Sequence, residues 1–228
     1  MIRVLVWCEN IQNRKKEEVK AVYPEEMHNT IADFLSKDPN IKTSTATIDD
    51  PDCGITDERL AETDVIIWWG HVGHGRVPGE VVEKLYNSVV CDGKGIICLH
   101  SAHYSKIFKR LMGTSCILKV GKPDNSAEKL WTLLPGHPIA AGIPSPVDIG
   151  IEEVYNEFFD IPQPDELVFS GGFENCGSFR AGVAYHRGYG KVFYFQPGHE
   201  TYPTFRQKEI QDIILNAVYW ANNKTRGQ

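Results

Sequence analysis

The chain has 228 residues, enough for one domain with a sizeable core, and its 42% hydrophobic and 24% charged content is ordinary for a soluble globular protein. A formal net charge of −6, with no basic stretch denser than Arg14-Lys15-Lys16, argues against nucleic-acid binding, which needs clustered cations. No apolar run approaches the ~20 residues of a membrane helix. IRVLVW enters a strand pattern without the layout of a signal peptide, and the six cysteines form no CxxC or zinc-ribbon spacing, so the expected setting is the cytoplasm, with free thiols.

Residues 2–8 (IRVLVWC) are almost continuously apolar, as in a strand covered on both faces. A polar loop is expected from Glu9 to Lys16. Pro24 then opens a helix with Glu25 and Glu26 in its first turn and Met27, Ile31, Phe34 and Leu35 as its apolar stripe. Residues 41–48 alternate and predict a strand at a sheet edge; Thr56 predicts an N-cap for a short helix over 57–63. Residues 64–69 (DVIIWW) predict a buried strand, followed by a helix that turns Val81, Val82, Leu85 and Val89 inward. GIICL (95–99) is the next buried strand, and HSAHYSKIFKRLMG turns at once into a helix.

This β-α-β-α-β-α-β-α order predicts a three-layer α/β/α fold with a mostly parallel sheet, in one domain spanning residues 1–228. The middle is less regular. Leu130 to Leu134 reads as a strand, HPIAAGIPSP as loop, and VDIGIEEVYNEFF mixes both periods. ELVFSGGF and GVAYHRGYGKVFYFQPG are strands, the last pair joined as a hairpin at Arg187-Gly188-Tyr189-Gly190. A closing helix runs from about Thr204 to Asn222, with Ile210, Ile213, Ile214, Ala217 and Val218 inward.

Six of the eight histidines sit where these strands run into loops: His71, His74, His100, His103, His137 and His199. Open α/β sheets build their sites there, and imidazole is both the commonest metal ligand and the group that titrates nearest neutrality.

Two segments resemble class I glutamine amidotransferase-like domains. GKGIICLHSAH looks like the strand that breaks at the nucleophile elbow, and KVFYFQPGHE like the strand that delivers a catalytic His and Glu. A longer series is similar to the trehalose-utilization (ThuA-like) family: VWCEN, VYPEEMHNTIA, WWGHVGH, GIICLHSAHYSKIFKRLMGTSC, GHPIAAGI, EEVYNEFFDIP and FYFQPGHETYP. The resemblance implies a flavodoxin-like fold of amidotransferase type and a role in carbohydrate catabolism, on trehalose-type disaccharides or keto-sugars made from them. It also departs from the amidotransferase pattern. The elbow reads Leu99-His100-Ser101-Ala102-His103, and Cys98 lies two residues back inside a strand, so glutaminase chemistry through Cys98 or Ser101 is not expected.

His71, His100 and His199, with Glu9 after the first strand, are candidate ligands for a divalent metal such as zinc; the family resemblance adds His28. His100, His103, Glu153 and Glu200 are candidate catalytic groups. Glu153 and Glu157 stand four apart if their segment is helical, and like charges held close raise a carboxyl pKa. Glu200 beside His199 can fix its tautomer. His74, Tyr155, Arg180 and Ser101 are candidate substrate contacts, while His137 reads as a turn residue, His186 as surface, and Trp68, Trp69 and Trp131 as core. The expectation is an enzyme on a small-molecule carbohydrate, metal-assisted or, without metal, acid–base. The alternative is a non-catalytic sugar-binding or regulatory domain on a degenerate amidotransferase fold. Apolar residues around Phe158, Phe159 and Ile161 suggest a homo-oligomer interface.

Overall fold

A computed structural model describes residues 1–174 and 176–223. In chain order these form β1 (Ile2–Cys8), α1 (Ile11–Lys15), α2 (Glu17–Val22), α3 (Met27–Leu35), β2 (Ile41–Thr47), α4 (Asp57–Ala61), β3 (Val65–Trp69), α5 (Gly79–Val90), β4 (Gly95–Leu99) and α6 (Lys106–Met112). After these come β5 (Lys119–Thr132), β6 (Val147–Asn156), β7 (Glu166–Phe173), β8 (Gly177–Arg187), β9 (Gly190–Phe195) and α7 (Lys208–Ala221).

Among the described residues the strands make one nine-stranded sheet in the order β2-β1-β3-β4-β9-β8-β7-β5-β6. From β2 to β9 neighbours are parallel; β9–β8, β8–β7, β7–β5 and β5–β6 are antiparallel. The sheet is therefore mixed, and the expectation of a mostly parallel sheet holds only for its first half. The second half needs no crossover helices, because short turns suffice between antiparallel strands. One of them is the expected hairpin, with Arg187 opposite Gly190.

The parallel half is an α/β layer structure. β1 connects outward to β2 while β3 connects the other way to β4, so the strand order reverses between β1 and β3. Right-handed crossovers then put α3 and α5 on opposite faces. α3 packs on β1, β2 and α7, and α5 packs on α6, which is the three-layer arrangement. The core follows from the apolar runs: Val65, Ile66, Ile67, Ile96, Ile97 and Leu99 have no exposed surface. Each such burial is worth about 1.5–3 kcal/mol before chain entropy is charged against it. Trp7 stacks on Trp68 across paired positions, 3.6 Å between ring centroids, and its Nε1–H donates to the Cys53 carbonyl at 2.8 Å. Thr56 caps α4 as its sequence predicts, accepting from the Arg59 N–H at 3.2 Å.

Several local expectations are corrected. The polar segment after β1 folds into α1 and α2, and α3 starts at Met27, so Glu25 and Glu26 precede its first turn. Residues 147–156 are a strand, not a helix, so Glu152 and Glu153 point to opposite faces while Glu153 and Tyr155 share one. β5 begins eleven residues before Leu130 and ends at Thr132, and the β5–β6 ladder carries register shifts between Val120 and Asn125 and at Glu128/Lys129. Such bulges bend a strand pair. Trp131 is 40% exposed, whereas Trp68 and Trp69 are core. Phe159 and Ile161 are also core; of that apolar segment Phe158 projects. No helix among the described residues is long and apolar enough to cross a membrane.

Candidate functional site

The parallel strands deliver the site from their carboxyl ends. β3 ends at Trp69, β4 at Leu99 and β9 at Phe195, and these three residues are register neighbours. The loops beyond them carry His71, His100 and His199. Their rings converge, with centroids 6.3 Å apart for His71–His100 and 5.3 Å for both His71–His199 and His100–His199.

His100 occupies the elbow itself, in the left-handed region at φ 51. A branched ring there costs about 1–2 kcal/mol of backbone strain, offset by what its side chain gains. Nδ1–H donates to the Gln196 carbonyl at 2.8 Å, while Nε2 meets Glu153 Oε2 at 3.0 Å and Tyr155 Oη at 3.3 Å. The Tyr155 ring stacks on it at 5.0 Å, and Ser101 Oγ meets Tyr155 Oη at 2.9 Å. Burial alone would depress the His100 pKa, but the hydrogen bond and charge of Glu153, helped by Glu152, raise it. Burial likewise opposes charge on Glu153, yet the His100 hydrogen bond and the surrounding histidines hold it at about 2. The two form an ion pair.

His71 is held differently. Its Nδ1 lies 2.9 and 3.0 Å from the two oxygens of Glu200, which is buried. Burial disfavours the Glu200 anion, but the His71 hydrogen bond and nearby imidazole charge bring its pKa to about 2. A carboxylate on Nδ1 leaves Nε2 with its lone pair. His199 Nε2 lies 3.5 Å from Glu200, and its Nδ1 accepts from the Thr201 N–H at 3.2 Å and meets Thr201 Oγ1 at 2.8 Å. Burial first, then the His100 charge, lowers its pKa to about 4, so it is neutral at pH 7. Gly198 precedes it at φ 130, where a Cβ would come within 2.3 Å of the Phe205 ring; only glycine fits that turn.

Among the described residues, two sets of three offer ligand atoms within 4.8 Å of one another, His71–His199–Glu200 and His100–Glu153–His199. The donor chemistry suits a divalent cation. His71 and His100 already give their Nδ1 protons to oxygens, and Thr201 Oγ1 can take that proton from His199 when its Nε2 is used.

A cleft of about 250 Å³ opens beside this cluster, lined on its polar side by His71, His74, Ser101, His103, Glu153 and Tyr155. His103 is buried with Nδ1 on the Cys116 carbonyl at 2.9 Å, and burial takes its pKa to about 3; the same cause takes His74 to about 4. Two roomier depressions, about 410 and 510 Å³, lie at the opposite ends of the parallel strands around Arg3 and Thr63, away from the histidines.

Three proposed residues stand apart. Glu9 accepts the backbone N–H of Val72 at 2.8 Å and of Gly73 at 2.7 Å, so both its oxygens anchor the histidine loop. His28 is buried on α3 with Glu26 at 3.4 Å. Arg180 forks onto Glu157 at 2.8 and 2.9 Å and onto the Phe159 carbonyl at 2.6 Å, a structural tie away from the cleft. His137 is a cap residue beside Glu166, and Cys98 has no exposed surface.

Sequence reasoning counted Glu152 only among the glutamates of the EEVYNEFF segment, and missed Glu128 and Gln196. Glu152, fully buried, accepts from the N–H groups of Glu153, Gly198 and His199 and from Thr204 Oγ1, at 2.8–3.2 Å, and so locks the His199 loop to β6. Glu128 is buried beside Gln196, and burial together with the Glu152 charge pushes its carboxyl well above the usual range. Gln196 supplies the carbonyl for His100. The detectable signal for Glu128 is its place two residues before Leu130, on the same face of a strand.

The fold and site define a three-layer α/β protein whose strand-to-helix elbow carries a histidine, set among further histidines and glutamates. The chain belongs to the ThuA family, described as trehalose utilisation, whose model matches residues 3–221. It is similar in structure to a ThuA-like protein from Parabacteroides merdae, at 14% identity and TM-score 0.71 over 100% of this chain and 92% of that one. A ThuA-like protein from Bacteroides uniformis has 15% identity and TM-score 0.72 over 99% and 93%. A cytoplasmic protein from Salmonella typhimurium has 13% identity and TM-score 0.64 over 98% and 100%. At these identities the likeness is one of fold. No curated protein matches in sequence. The family supports a role in carbohydrate utilisation.

Proposed function

We propose that the protein is a cytoplasmic enzyme of carbohydrate utilisation, acting on a trehalose-type disaccharide or a keto-sugar derived from one, at a divalent-cation site held by His71, His100 and His199, with Glu153 beside it as the base. Zinc is the preferred ion, since three protein ligands and an open position are its catalytic pattern. The observation that carries the reading is the convergence of three imidazoles, of which His71 and His100 commit Nδ1 to an oxygen and leave Nε2 for a cation. A sugar-binding module needs hydroxyl partners and aromatic faces, and would gain nothing from this density of titratable groups.

When bound, the cation would polarise a substrate carbonyl or activate water. The chain's own groups supply the rest. Glu200 keeps His71 in one tautomer, and the Gln196 carbonyl does the same for His100. Glu153, anionic at neutral pH, is the proton acceptor nearest the cleft. Ser101 and Tyr155 present hydroxyls to a sugar, and neutral His74 and His103 add exchangeable donors and acceptors.

A second reading, metal-free acid–base catalysis, is favoured by the Thr201 N–H on His199 Nδ1, which leaves the proton on Nε2. Elemental analysis of tag-free protein separates the two. About one zinc per chain, lost in His71→Ala and in His100→Ala, is expected. No metal above background overturns the cation site and leaves acid–base chemistry or sugar binding, which calorimetry with sugars resolves.

A further inference from the structure

Glu128 and Glu152 have no exposed surface, and they are near enough for the charge of Glu152 to act on Glu128. Two buried carboxyl groups side by side do not both ionise; one keeps its proton. Hydrogen bonds decide which. Glu152 accepts from three backbone N–H groups and the Thr204 hydroxyl, two on each oxygen, which leaves no place for a proton. Among the described residues neither oxygen of Glu128 meets a donor. Gln196, also fully buried, has the complementary need. Its Nε2 donates to the Glu153 carbonyl at 3.4 Å, which fixes the amide orientation, and its Oε1 meets no donor either. Gly171 lets the two side chains meet. A Cβ there would lie 2.5 Å from Glu128 Oε1 and 3.5 Å from Gln196 Oε1, so the carboxyl and the amide share the space a side chain would take.

We propose that Glu128 is a positioning residue of the site: as a neutral carboxylic acid it donates its O–H to Gln196 Oε1, and so holds the residue whose main-chain carbonyl takes the Nδ1–H of His100. This rests on the reading of His100 as a site residue and deepens it. Every polar atom of Gln196 is then committed. Its N–H goes to the Ala181 carbonyl at 2.8 Å, its carbonyl to His100 at 2.8 Å, Nε2 to Glu153 and Oε1 to Glu128. One residue thereby ties β5, β6 and β8 to the elbow histidine.

The test compares urea unfolding of metal-free wild type and Glu128→Gln across pH. A carboxyl that is neutral when folded and ionised when unfolded loses stability as pH rises above 4.5. Gln keeps the shape and a donor and never ionises. The ratio of the two unfolding constants is therefore expected to shift in favour of the variant by about tenfold per pH unit above about 5, up to the folded pKa of Glu128. Glu152 on β6 and Tyr194 on β9 are the titratable groups that act with Glu128, while β7 and β8 present Gly171 and Ala181. These groups and the histidines are common to both proteins and cancel in the ratio. Positioning is read from the His100 Nδ1–H resonance, assigned by its loss in His100→Ala. It should stay in place in Glu128→Gln. It should shift or exchange away in Glu128→Met, which has no donor, and in Gln196→Met, which has no acceptor, so either variant alone decides if the other does not fold. A ratio independent of pH would overturn the neutral acid, as would a sodium- or potassium-dependent stability that Glu128→Gln abolishes. A resonance unmoved in a folded Met variant would overturn the positioning. Because all readouts use metal-free protein, a lack of zinc binding sinks the cation site and leaves this assignment standing.

Discussion

Replacing Glu9 with Gln separates a loop anchor from a metal ligand. Glu9 has no exposed surface, and each of its oxygens accepts one backbone N–H, from Val72 at 2.8 Å and Gly73 at 2.7 Å. Gln keeps the shape but turns one acceptor into a donor that faces an N–H. One charge-assisted hydrogen bond is lost, worth about 1.5–3 kcal/mol, and a buried donor is left unpaired; the expected destabilisation is about 3 kcal/mol. For a chain of this size that is about 6–12 °C in Tm, measured by calorimetry on metal-free protein. Zinc content at saturation should be unchanged. An unaltered Tm, or loss of zinc from a variant of normal Tm, would refute the anchoring role and return Glu9 to the ligands.

Three further outcomes follow from the same contacts. Glu153, held at about 2 against an ordinary 4.5, contributes stability that is complete above 4.5 and is lost as pH falls toward 2. His100, raised from 6.5, contributes stability complete below 6.5 and lost as pH climbs through its folded value; buried His74, His103 and His199 oppose stability below 6.5, so the pair is read as the difference in urea midpoint between metal-free protein and Glu153→Gln, which should be greatest between about 4.5 and 6.5. Because a cation must displace the His100 proton, zinc affinity by chelator competition should fall about tenfold per pH unit where that ring is charged. Iodoacetamide should label exposed Cys91 in the native protein and reach Cys98, whose thiol burial pushes up, only after unfolding; native labelling of Cys98 with loss of activity would reopen amidase chemistry.

The parallel half was legible because strands buried on both faces are written as unbroken apolar runs, VLVW, VIIWW and GIICL. The elbow and the three converging histidines follow from that, since the ends of neighbouring parallel strands meet in one crevice. The antiparallel half was not legible in the same way. The start of β5, KVGKPDNSAEK, is exposed on both faces for much of its length and carries no period to read. The adjacent glutamates of β6 fit a helix or a strand until pairing with β5 decides between them. Glu9 fell outside because a local cue put it at the right strand end, whereas its partners are backbone groups of another loop, which composition does not report.

Glu153 lies on β6, five strand positions from β4 in the sheet. In a flat sheet that is about 24 Å, yet its carboxylate is 3.0 Å from His100. The bulged β5–β6 ribbon has to curl back across the strand ends to close the gap. His71 is fixed by Glu200 and His100 by the Gln196 carbonyl, so the imidazoles already need β9 paired beside β4. The carboxylate needs the remaining antiparallel strands as well, so the reactive centre is complete only when the entire sheet is.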